Sequence, residues 1–129
     1  MKGCDYVKSR IKAIISVVFI LVLTFAIAGC GKADIVSEKT SEYIKEAISV
    51  AEQYLNGRIT TDEAGNKLEN LSDLVQEEAL KYKDDDARSD FYYYGVVVTS
   101  DIYMLGFKIR TGNISEVENR LSDLKDYID

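Results

Sequence analysis

The sequence predicts an all-α fold, namely a four-helix antiparallel bundle made of two helical hairpins and preceded by an N-terminal leader helix. Proline is absent from the 129 residues, whereas average usage near 5% would give about six, so no proline ring interrupts a helix. Apolar residues recur at steps of three and four in four successive segments, which is the spacing of one helical face. Because no single hairpin can bury its own apolar stripe, the four segments are expected to share one core.

The leader has the organisation of a secretory signal peptide. Residues 1–12 carry four bases against one acid, and an apolar run of 16 residues follows from Ala13 to Ala28. A membrane-spanning helix needs about 20 apolar residues. An uncleaved signal anchor, with residues 13–28 as a short tilted span, is therefore the second alternative. A buried core helix is the third, and the lack of a polar face disfavours it.

The end of the apolar run resembles the lipobox of bacterial lipoproteins, in which an aliphatic residue and then small residues precede an obligatory cysteine. Ile27, Ala28, Gly29 and Cys30 match this box position by position. The resemblance implies that the Cys30 thiol receives a diacylglyceryl group and that the signal peptide, residues 1–29, is cut off just before it. The resemblance is confined to the leader and the residues next to Cys30, and it implies nothing about the rest of the chain.

Lipid on Cys30 would hold the mature protein at the outward, extracytoplasmic face of the cell membrane. Each buried acyl methylene contributes about 0.8 kcal/mol and one chain binds only marginally, so a diacyl group explains how a single cysteine suffices as anchor. The polar residues 30–41 show no sustained period, and we expect them to form the lipidated N-terminus and a short tether. The helical domain is predicted to occupy residues 42–129.

The mature part of the chain is strongly acidic. Removing the leader leaves 12 bases and 21 acids, a net charge of −9. Nucleic-acid binding needs a cationic surface, so this balance argues against a nucleic-acid partner. The same balance argues against contact between the domain and anionic lipid, which attracts polybasic segments.

Missing residue types exclude several kinds of chemistry. Histidine is absent, which excludes a Ser-His-Asp triad and an imidazole metal ligand. Cys4 lies in the leader, so Cys30 is the only cysteine of the mature chain. A cysteine-based zinc site and an internal disulfide are therefore excluded. We expect neither a metal nor a cofactor.

The first predicted hairpin joins two amphipathic helices, of which the first begins near Ser41. Asn56-Gly57 is a stop signal after this helix. Thr60 or Thr61 is the predicted cap of the second helix, with two acids in its first turn. The two apolar stripes contain Ile44, Ala47, Ile48, Ala51 and Leu55, and then Ala64, Leu68, Leu71, Val75 and Ala79.

The second predicted hairpin contains an ambiguous segment. Residues 91–98 are aromatic and β-branched, which favours a strand, and residues 99–101 are compatible with a hairpin turn. Helix is preferred because the three-four spacing persists for some 19 residues, and strands seldom run so long. Ser89 or Asp90 is the predicted cap of this helix, and Ser115 is the predicted cap of the last. The stripes contain Phe91, Tyr94, Val98, Ile102, Leu105 and Ile109, and then Val117, Leu121, Leu124 and Ile128.

The two predicted hairpins share a turn pattern. Residues 57–60 read Gly-Arg-Ile-Thr, and residues 112–115, which lie 55 positions later, read Gly-Asn-Ile-Ser. Two leucines follow each turn, and the alignment places a two-residue gap inside the second helix. The pattern indicates an internal repeat or, as the more general explanation, the preference of any tight helix-to-helix turn for glycine and a hydroxyl cap.

Tyr92, Tyr93 and Tyr94, with Tyr103 and Phe107, form the densest aromatic patch of the sequence. Consecutive residues on a helix point about 100° apart, so the three adjacent tyrosines cannot all be buried. Tyr94 is predicted to join the core, and Tyr92 or Tyr93 to lie at the rim or in solvent. Exposed aromatic residues can anchor a partner, although tyrosine hydroxyls at the rim of a helical core are the more common case. Tyr92 and Tyr93 are therefore the possible binding patch.

Two further features have a structural explanation that we prefer. Asp84, Asp85, Asp86 and Asp90 lack the glycine and the closing glutamate of a calcium loop, so we expect a solvated connector. Gly106, inside the third segment, permits a close helix approach, although the sequence shows no partner glycine.

These observations predict a membrane-anchored envelope protein that acts as a non-catalytic binding module, with an envelope protein or a peptide as its partner. A structural or scaffolding role in a membrane complex is the alternative from a second class. A small cell-envelope hydrolase is the third. It requires a cleft with two facing acids, whereas the acids here are assigned mainly to outer faces and helix starts.

Overall fold

Four α-helices and one short 3-10 turn make up most of residues 35–129, the part of the chain that the computed structural model describes. The predicted leader, with its cleavage site and Cys30, lies outside these residues. No strand occurs between residues 35 and 129, so the predicted all-α class is confirmed. The helices are α1, Glu38–Leu55; α2, Thr61–Leu80; α3, Ser89–Arg110; and α4, Ile114–Lys125, and the 3-10 turn is Asp86–Arg88.

The helices form the predicted bundle of two hairpins. Each packs against the next along the chain, and α4 returns to pack on α1, so that the described helices enclose one core. The interface between α2 and α3 is the most extensive. Removing a large aliphatic side chain from water contributes about 1.5–3 kcal/mol, so the predicted stripes supply most of the driving force. The largest fully buried aliphatic side chains are Ile44, Leu68, Ile102, Leu105, Ile109 and Leu124.

α1 begins at Glu38, three residues before the start near Ser41 that the apolar spacing predicts. Ser37 is the N-cap, and its Oγ accepts a hydrogen bond from the backbone N–H of Thr40 at 3.1 Å. Val36 and Thr40 are both 1% exposed, so the chain already packs against the bundle before the helix begins. The last four residues of the predicted tether therefore belong to α1. The spacing missed them because a buried threonine is not counted as apolar.

Both hairpins turn through the same backbone motif. Gly57 and Gly112 each have a φ of 74°, a left-handed conformation that residues with a side chain adopt only at a cost. In each turn the N–H groups of the glycine and of the next residue donate to two carbonyl groups at the end of the helix, which is the Schellman motif. The bonds are Gly57 to Tyr54 (3.0 Å), Arg58 to Gln53 (2.8 Å), Gly112 to Ile109 (3.0 Å) and Asn113 to Lys108 (3.1 Å).

The caps that follow these turns differ. Thr60 forms a capping box with Glu63: the Thr60 Oγ1 accepts from the Glu63 N–H at 3.0 Å, and the Glu63 Oε1 accepts from the Thr60 N–H at 3.1 Å. The predicted cap at Ser115 is wrong, because Asn113 caps α4 by accepting from the Glu116 N–H at 3.2 Å. Asparagine is as good a cap as a hydroxyl residue, and here it directly follows the turn glycine.

The different caps explain the offset between the two repeats. Asn113 comes one residue after its glycine, whereas Thr60 comes three residues after Gly57, so the two-residue gap lies in the turn and not inside the helix. Counted from the caps, buried apolar residues occur four, eight and eleven positions later in both hairpins. They are Ala64, Leu68 and Leu71 in α2, and Val117, Leu121 and Leu124 in α4.

α3 is a continuous helix, so the strand alternative for residues 91–98 is wrong. The predicted caps Ser89 and Asp90 are also wrong, because the N-cap position is Arg88 and it makes no side-chain cap hydrogen bond. Asp85 instead caps the preceding 3-10 turn, and its carboxylate accepts from the Arg88 N–H at 3.1 Å. The turn runs directly into α3, so the capping residue lies one turn earlier than the apolar pattern indicates.

Small residues allow α2 and α3 to approach closely. A Cβ added to Gly95 would lie 2.6 Å from the Cβ of Ala79, which is closer than real contacts allow. A Cβ added to Gly106 would lie 3.3 Å from the Leu68 Cβ and 3.8 Å from the Gly65 carbonyl oxygen. Gly106 therefore does face a glycine. The sequence could not show this pairing, because it depends on the register between the two helices.

Candidate functional site

α3 differs from the other helices in charge. It carries four charged residues among its 22, whereas α1 carries six among 18, α2 seven among 20 and α4 five among 12. Between Phe91 and Phe107 the only charged residue is Asp101. A helix that is apolar on all faces is normally buried on all faces. α3 has one face in the core and another in solvent, so its outer face calls for an explanation.

Large apolar side chains lie on that outer face. Tyr93 is 60% exposed, Tyr103 54%, Phe107 48% and Val96 43%. Together with the exposed Ser100 they are spaced by three, four, three and four residues, so they follow one line along the helix. We call these five residues the α3 stripe. Exposed apolar residues that occur singly are normal, whereas a contiguous row is typical of an interaction surface.

The predicted binding patch, Tyr92 and Tyr93, falls partly on this stripe. Tyr93 belongs to it, but Tyr92 is partly buried and lies to one side of the stripe. Tyr94 packs against the core as predicted, and its ring meets that of Tyr93 edge to face with centroids 4.9 Å apart. Val96 and Ser100 were not predicted as part of a binding surface. Their spacing from Tyr93 and Tyr103 was the available signal, but an apolar helix gives no indication of which face points outward.

A small depression lies beside the stripe, between α2 and α3. Its volume is about 30 Å³, room for little more than one water molecule. Arg110 crosses above Gly65, and its guanidinium donates to Asn66 Oδ1 at 2.7 Å and lies 3.4 Å from Glu69 Oε1. The depression is lined by Gly65, Glu69, Tyr103, Gly106, Phe107 and Arg110.

A second, more open cleft contains a partly buried acid, Asp101. The Tyr127 hydroxyl donates to the Asp101 carboxylate at 3.2 Å, and Asp123 and Ile35 contribute further walls. Burial raises the pKa of Asp101, although the hydrogen bond from Tyr127 opposes the shift. Burial together with the Asp101 charge raises the pKa of Tyr127. Among residues 35–129, no group of three or more acidic, histidine or cysteine side chains is arranged to hold a metal ion.

Glu78, an acid that is buried, joins α2 to the start of α1. Ser37 Oγ donates to Glu78 Oε2 at 3.0 Å, the Tyr82 hydroxyl donates to the same oxygen at 3.3 Å, and Lys81 Nζ lies 3.0 Å from Oε1. Burial opposes ionisation here, but the hydrogen bonds from Lys81 and Ser37 lower the pKa of Glu78. These contacts compensate for the burial of the Glu78 carboxylate and connect the end of α2 to the N-cap of α1.

The acidic connector has a structural purpose at Asp85. Its Oδ2 accepts from the Arg88 Nε at 2.9 Å, and the hydrogen bond from Arg88 lowers the pKa of this carboxyl. The other acids of the predicted connector, Asp84, Asp86 and Asp90, are exposed. Asp85 thus serves the turn that leads into α3.

Comparisons with known proteins add no assignment. No protein-family model matches the chain, and no curated protein and no solved structure is significantly similar to it. Within residues 35–129, every helix is too short or too polar to cross a bilayer. The predicted lipidation site Cys30 and the processing residues Ile27, Ala28 and Gly29 lie outside the described residues.

Proposed function

We propose that this chain is a lipid-anchored protein of the outward face of the cell membrane, and that its helical domain is a non-catalytic interaction module. The proposed location rests on the resemblance of Ile27, Ala28, Gly29 and Cys30 to a lipobox. Lipid on Cys30 would restrict the domain to the membrane surface. The domain itself would then supply a binding surface there.

The observation that carries the proposed interaction is the α3 stripe. Tyr93, Tyr103 and Phe107 are about half-exposed on a face without charged residues. Aromatic side chains of this kind dominate the binding energy of protein interfaces when a partner removes them from water. The net charge of −9 in residues 30–129 makes a protein partner more favourable than an anionic lipid surface.

The anchor is tested by the variant Cys30→Ala. In cells grown with radiolabelled palmitate, the parent protein should incorporate label and fractionate with membranes. The variant should lose the label, because its lipobox no longer ends in a cysteine, and it should retain its leader, because the implied cleavage takes place at the lipid-modified cysteine. Equal labelling of the two proteins would contradict the proposed attachment.

The interaction is tested by the double variant Tyr103→Ser and Phe107→Ser. Native membranes are treated with a chemical crosslinker, and the products containing the chain are identified by mass spectrometry. The parent should give discrete crosslinked products that the double variant lacks, since two of the three exposed aromatic residues of the stripe are gone.

The matched control is Leu74→Ser, which removes an exposed leucine of α2 that is not part of the stripe. Its crosslinked products should equal those of the parent. Loss of the same products in the control, or their survival in the double variant, would contradict an interaction through the α3 stripe. A stoichiometric membrane protein among the products would favour the scaffolding role over the binding of a diffusible ligand.

A further inference from the structure

The spacing of the α3 stripe is symmetric once Arg110, three residues beyond Phe107, is added as a sixth position. Read from Tyr93 to Arg110, the six positions are separated by three, four, three, four and three residues, which is the same series in both directions. A series of this kind is the contact line of a two-helix coiled coil. Reversing one copy of α3 therefore brings every position of the line opposite a position of the other copy.

The chemistry of the opposed positions is complementary. Reversal sets Ser100 opposite Tyr103, two hydroxyl groups that can hydrogen-bond. It sets Val96 opposite Phe107, two apolar side chains. It also sets Tyr93 opposite Arg110, an aromatic ring against a guanidinium that is still 39% exposed.

The charges of α3 distinguish the two possible directions. Asp90 lies at the N-terminal end of the helix, and Lys108 and Arg110 lie at the C-terminal end. Parallel pairing would place Arg110 beside Arg110 and Asp90 beside Asp90. Antiparallel pairing places the acidic end of each copy near the basic end of the other, and it also opposes the two helix dipoles favourably.

We infer that the α3 stripe is the contact surface of a two-fold homodimer, in which α3 of one copy pairs antiparallel with α3 of the other. The dimer is isologous, as most homodimers are. The charge-free centre of the stripe lets two acidic domains meet without placing like charges against each other. This inference names the partner of the proposed interaction module, and in that respect it rests on the proposed function.

The size of the stripe determines how strong the pairing is. Its four large side chains expose roughly 400 Å² between them, since a buried aromatic residue covers about 150–250 Å². A stable interface buries about 800 Å² on each partner. The stripe alone therefore supports a weak dimer in dilute solution. Confinement of both copies to one membrane surface raises their effective concentration and favours pairing.

Disulfide formation between two differently tagged copies tests the pairing and its direction. One copy carries Val96→Cys and the other Phe107→Cys, both in the full-length chain with Cys4→Ala, and both are expressed in the native membrane. Antiparallel pairing puts these two cysteines opposite each other. Parallel pairing separates them by 11 residues, about 16 Å along the axis, which exceeds the reach of a disulfide.

Mild oxidation should join the two tags in a mixed disulfide, at roughly ten times the yield of either variant with itself, because only the mixed pair meets the distance limit. The matched control is Glu38→Cys with Ser49→Cys, two exposed positions of α1 with the same separation. This pair should give only background. Adding Tyr103→Glu to both stripe variants should reduce the mixed disulfide to that background, while circular dichroism shows an unchanged helix content because Tyr103 is exposed.

The remaining outcomes separate this inference from the proposed function. Self-linked products in excess of the mixed product, or a mixed product no stronger than the control, would overturn antiparallel pairing. Disulfides between the stripe cysteines and a different protein would overturn self-pairing and leave the interaction module in place. A disulfide dimer of the Cys4→Ala parent would mean that Cys30 is unmodified, which contradicts the lipid anchor. The Cys30 disulfide dimer would be present in every sample, so the yields of the mixed and self-linked stripe disulfides could still be compared to test the pairing.

Discussion

The two hairpins of the bundle are alike in their turns and different on their surfaces. Gly57 and Gly112 have the same φ and end their helices with the same pair of hydrogen bonds. The caps that follow place core residues at the same three positions. In contrast, α1 and α2 carry charges along their outer faces, whereas α3 carries almost none. The same local rules thus determine the turns and the core positions in both hairpins, and the charge-poor outer face of α3 has no counterpart in the first hairpin.

The environments of two acids, the buried Glu78 and the partly buried Asp101, also differ between the hairpins. In the first hairpin, Glu78 receives hydrogen bonds from Ser37 and Tyr82 and pairs with Lys81. In the second, Asp101 receives one hydrogen bond from Tyr127, and burial together with the neighbouring Asp123 charge disfavours its ionisation and raises its pKa. The first acid is held in its charged form, and the second is pushed towards its neutral form.

The largest expected difference concerns two equivalent leucines, Leu68 and Leu121, each eight residues after its cap. Leu68→Ala should destabilise the protein by about 3–4 kcal/mol, and Leu121→Ala by about 2 kcal/mol. Leu68 is fully buried against the Gly106 backbone, whereas Leu121 is 7% exposed on the shortest helix, where neighbours can relax into the space. Urea denaturation of the purified protein measures both.

The control for this pair is Leu74→Ala, which removes an exposed leucine and should cost less than about 1 kcal/mol. Equal losses of unfolding free energy for Leu68→Ala and Leu121→Ala would mean that α2 and α4 contribute equally to the core. The two hairpins would then be alike in their packing as well as in their turns.

The next difference is in the sign of a pH dependence. Glu78→Gln should cost roughly 1 kcal/mol at pH 7, because charge-assisted hydrogen bonds are lost. The pKa of Glu78 in the folded protein lies below its ordinary value of 4.5. Its contribution is therefore present above that value and disappears as the pH falls through the folded pKa, so variant and parent should converge in acid.

Asp101→Asn should behave in the opposite way. The pKa of Asp101 in the folded protein is raised above its ordinary value of 3.8. Protonation of Asp101 therefore stabilises the folded protein fully below pH 3.8, and this stabilisation is lost as the pH rises through the pKa of the folded protein. The asparagine variant should thus melt at a higher temperature than the parent at pH 7, and the gain should vanish in acid. Melting curves between pH 3 and 7 check both variants, and shifts of the same sign would refute the contrast.

The smallest expected difference is between the two turn glycines. Gly57→Ala and Gly112→Ala should each cost about 1–2 kcal/mol, since the left-handed backbone is unfavourable for alanine. No atom lies within 4 Å of a Cβ placed at either glycine, so the cost is conformational in both. Denaturation midpoints should agree closely. Asparagine at the same positions should restore part of the loss, because it tolerates this conformation.

Much of the fold follows from the sequence, because the apolar spacing and the turn glycines act locally. The core-facing apolar residues from Ile44 to Leu55 and from Phe91 to Ile109 predicted helices that the structure contains. The cap of α4 was predicted at the wrong residue because Asn113 belongs to two motifs: it completes the Schellman motif at the end of α3 and is also the N-cap of α4. The contact between Gly65 and Gly106 could not be predicted, since it requires the register of two helices that are distant in sequence.

The candidate site was predicted only in part, and for a related reason. Tyr93 was identified because three adjacent tyrosines cannot all be buried. Val96 was not identified, because α3 offers apolar residues on nearly every side and only its neighbours decide which of them face outward. The sequence of an amphipathic helix predicts which face is buried. In a helix that is apolar on most sides, the packing of the other helices decides which face is exposed.

Ile35 and Tyr127 border the same cleft, so the polypeptide enters and leaves the bundle at one pole. Arg58, in the first turn, stands at the opposite pole, about 30 Å away along a helix of the length of α2. A peptide epitope inserted after Arg58 and one appended after Asp129 would mark these two poles. Under the proposed lipid attachment at Cys30, their relative accessibility to antibodies on intact cells would measure the tilt of the domain relative to the membrane.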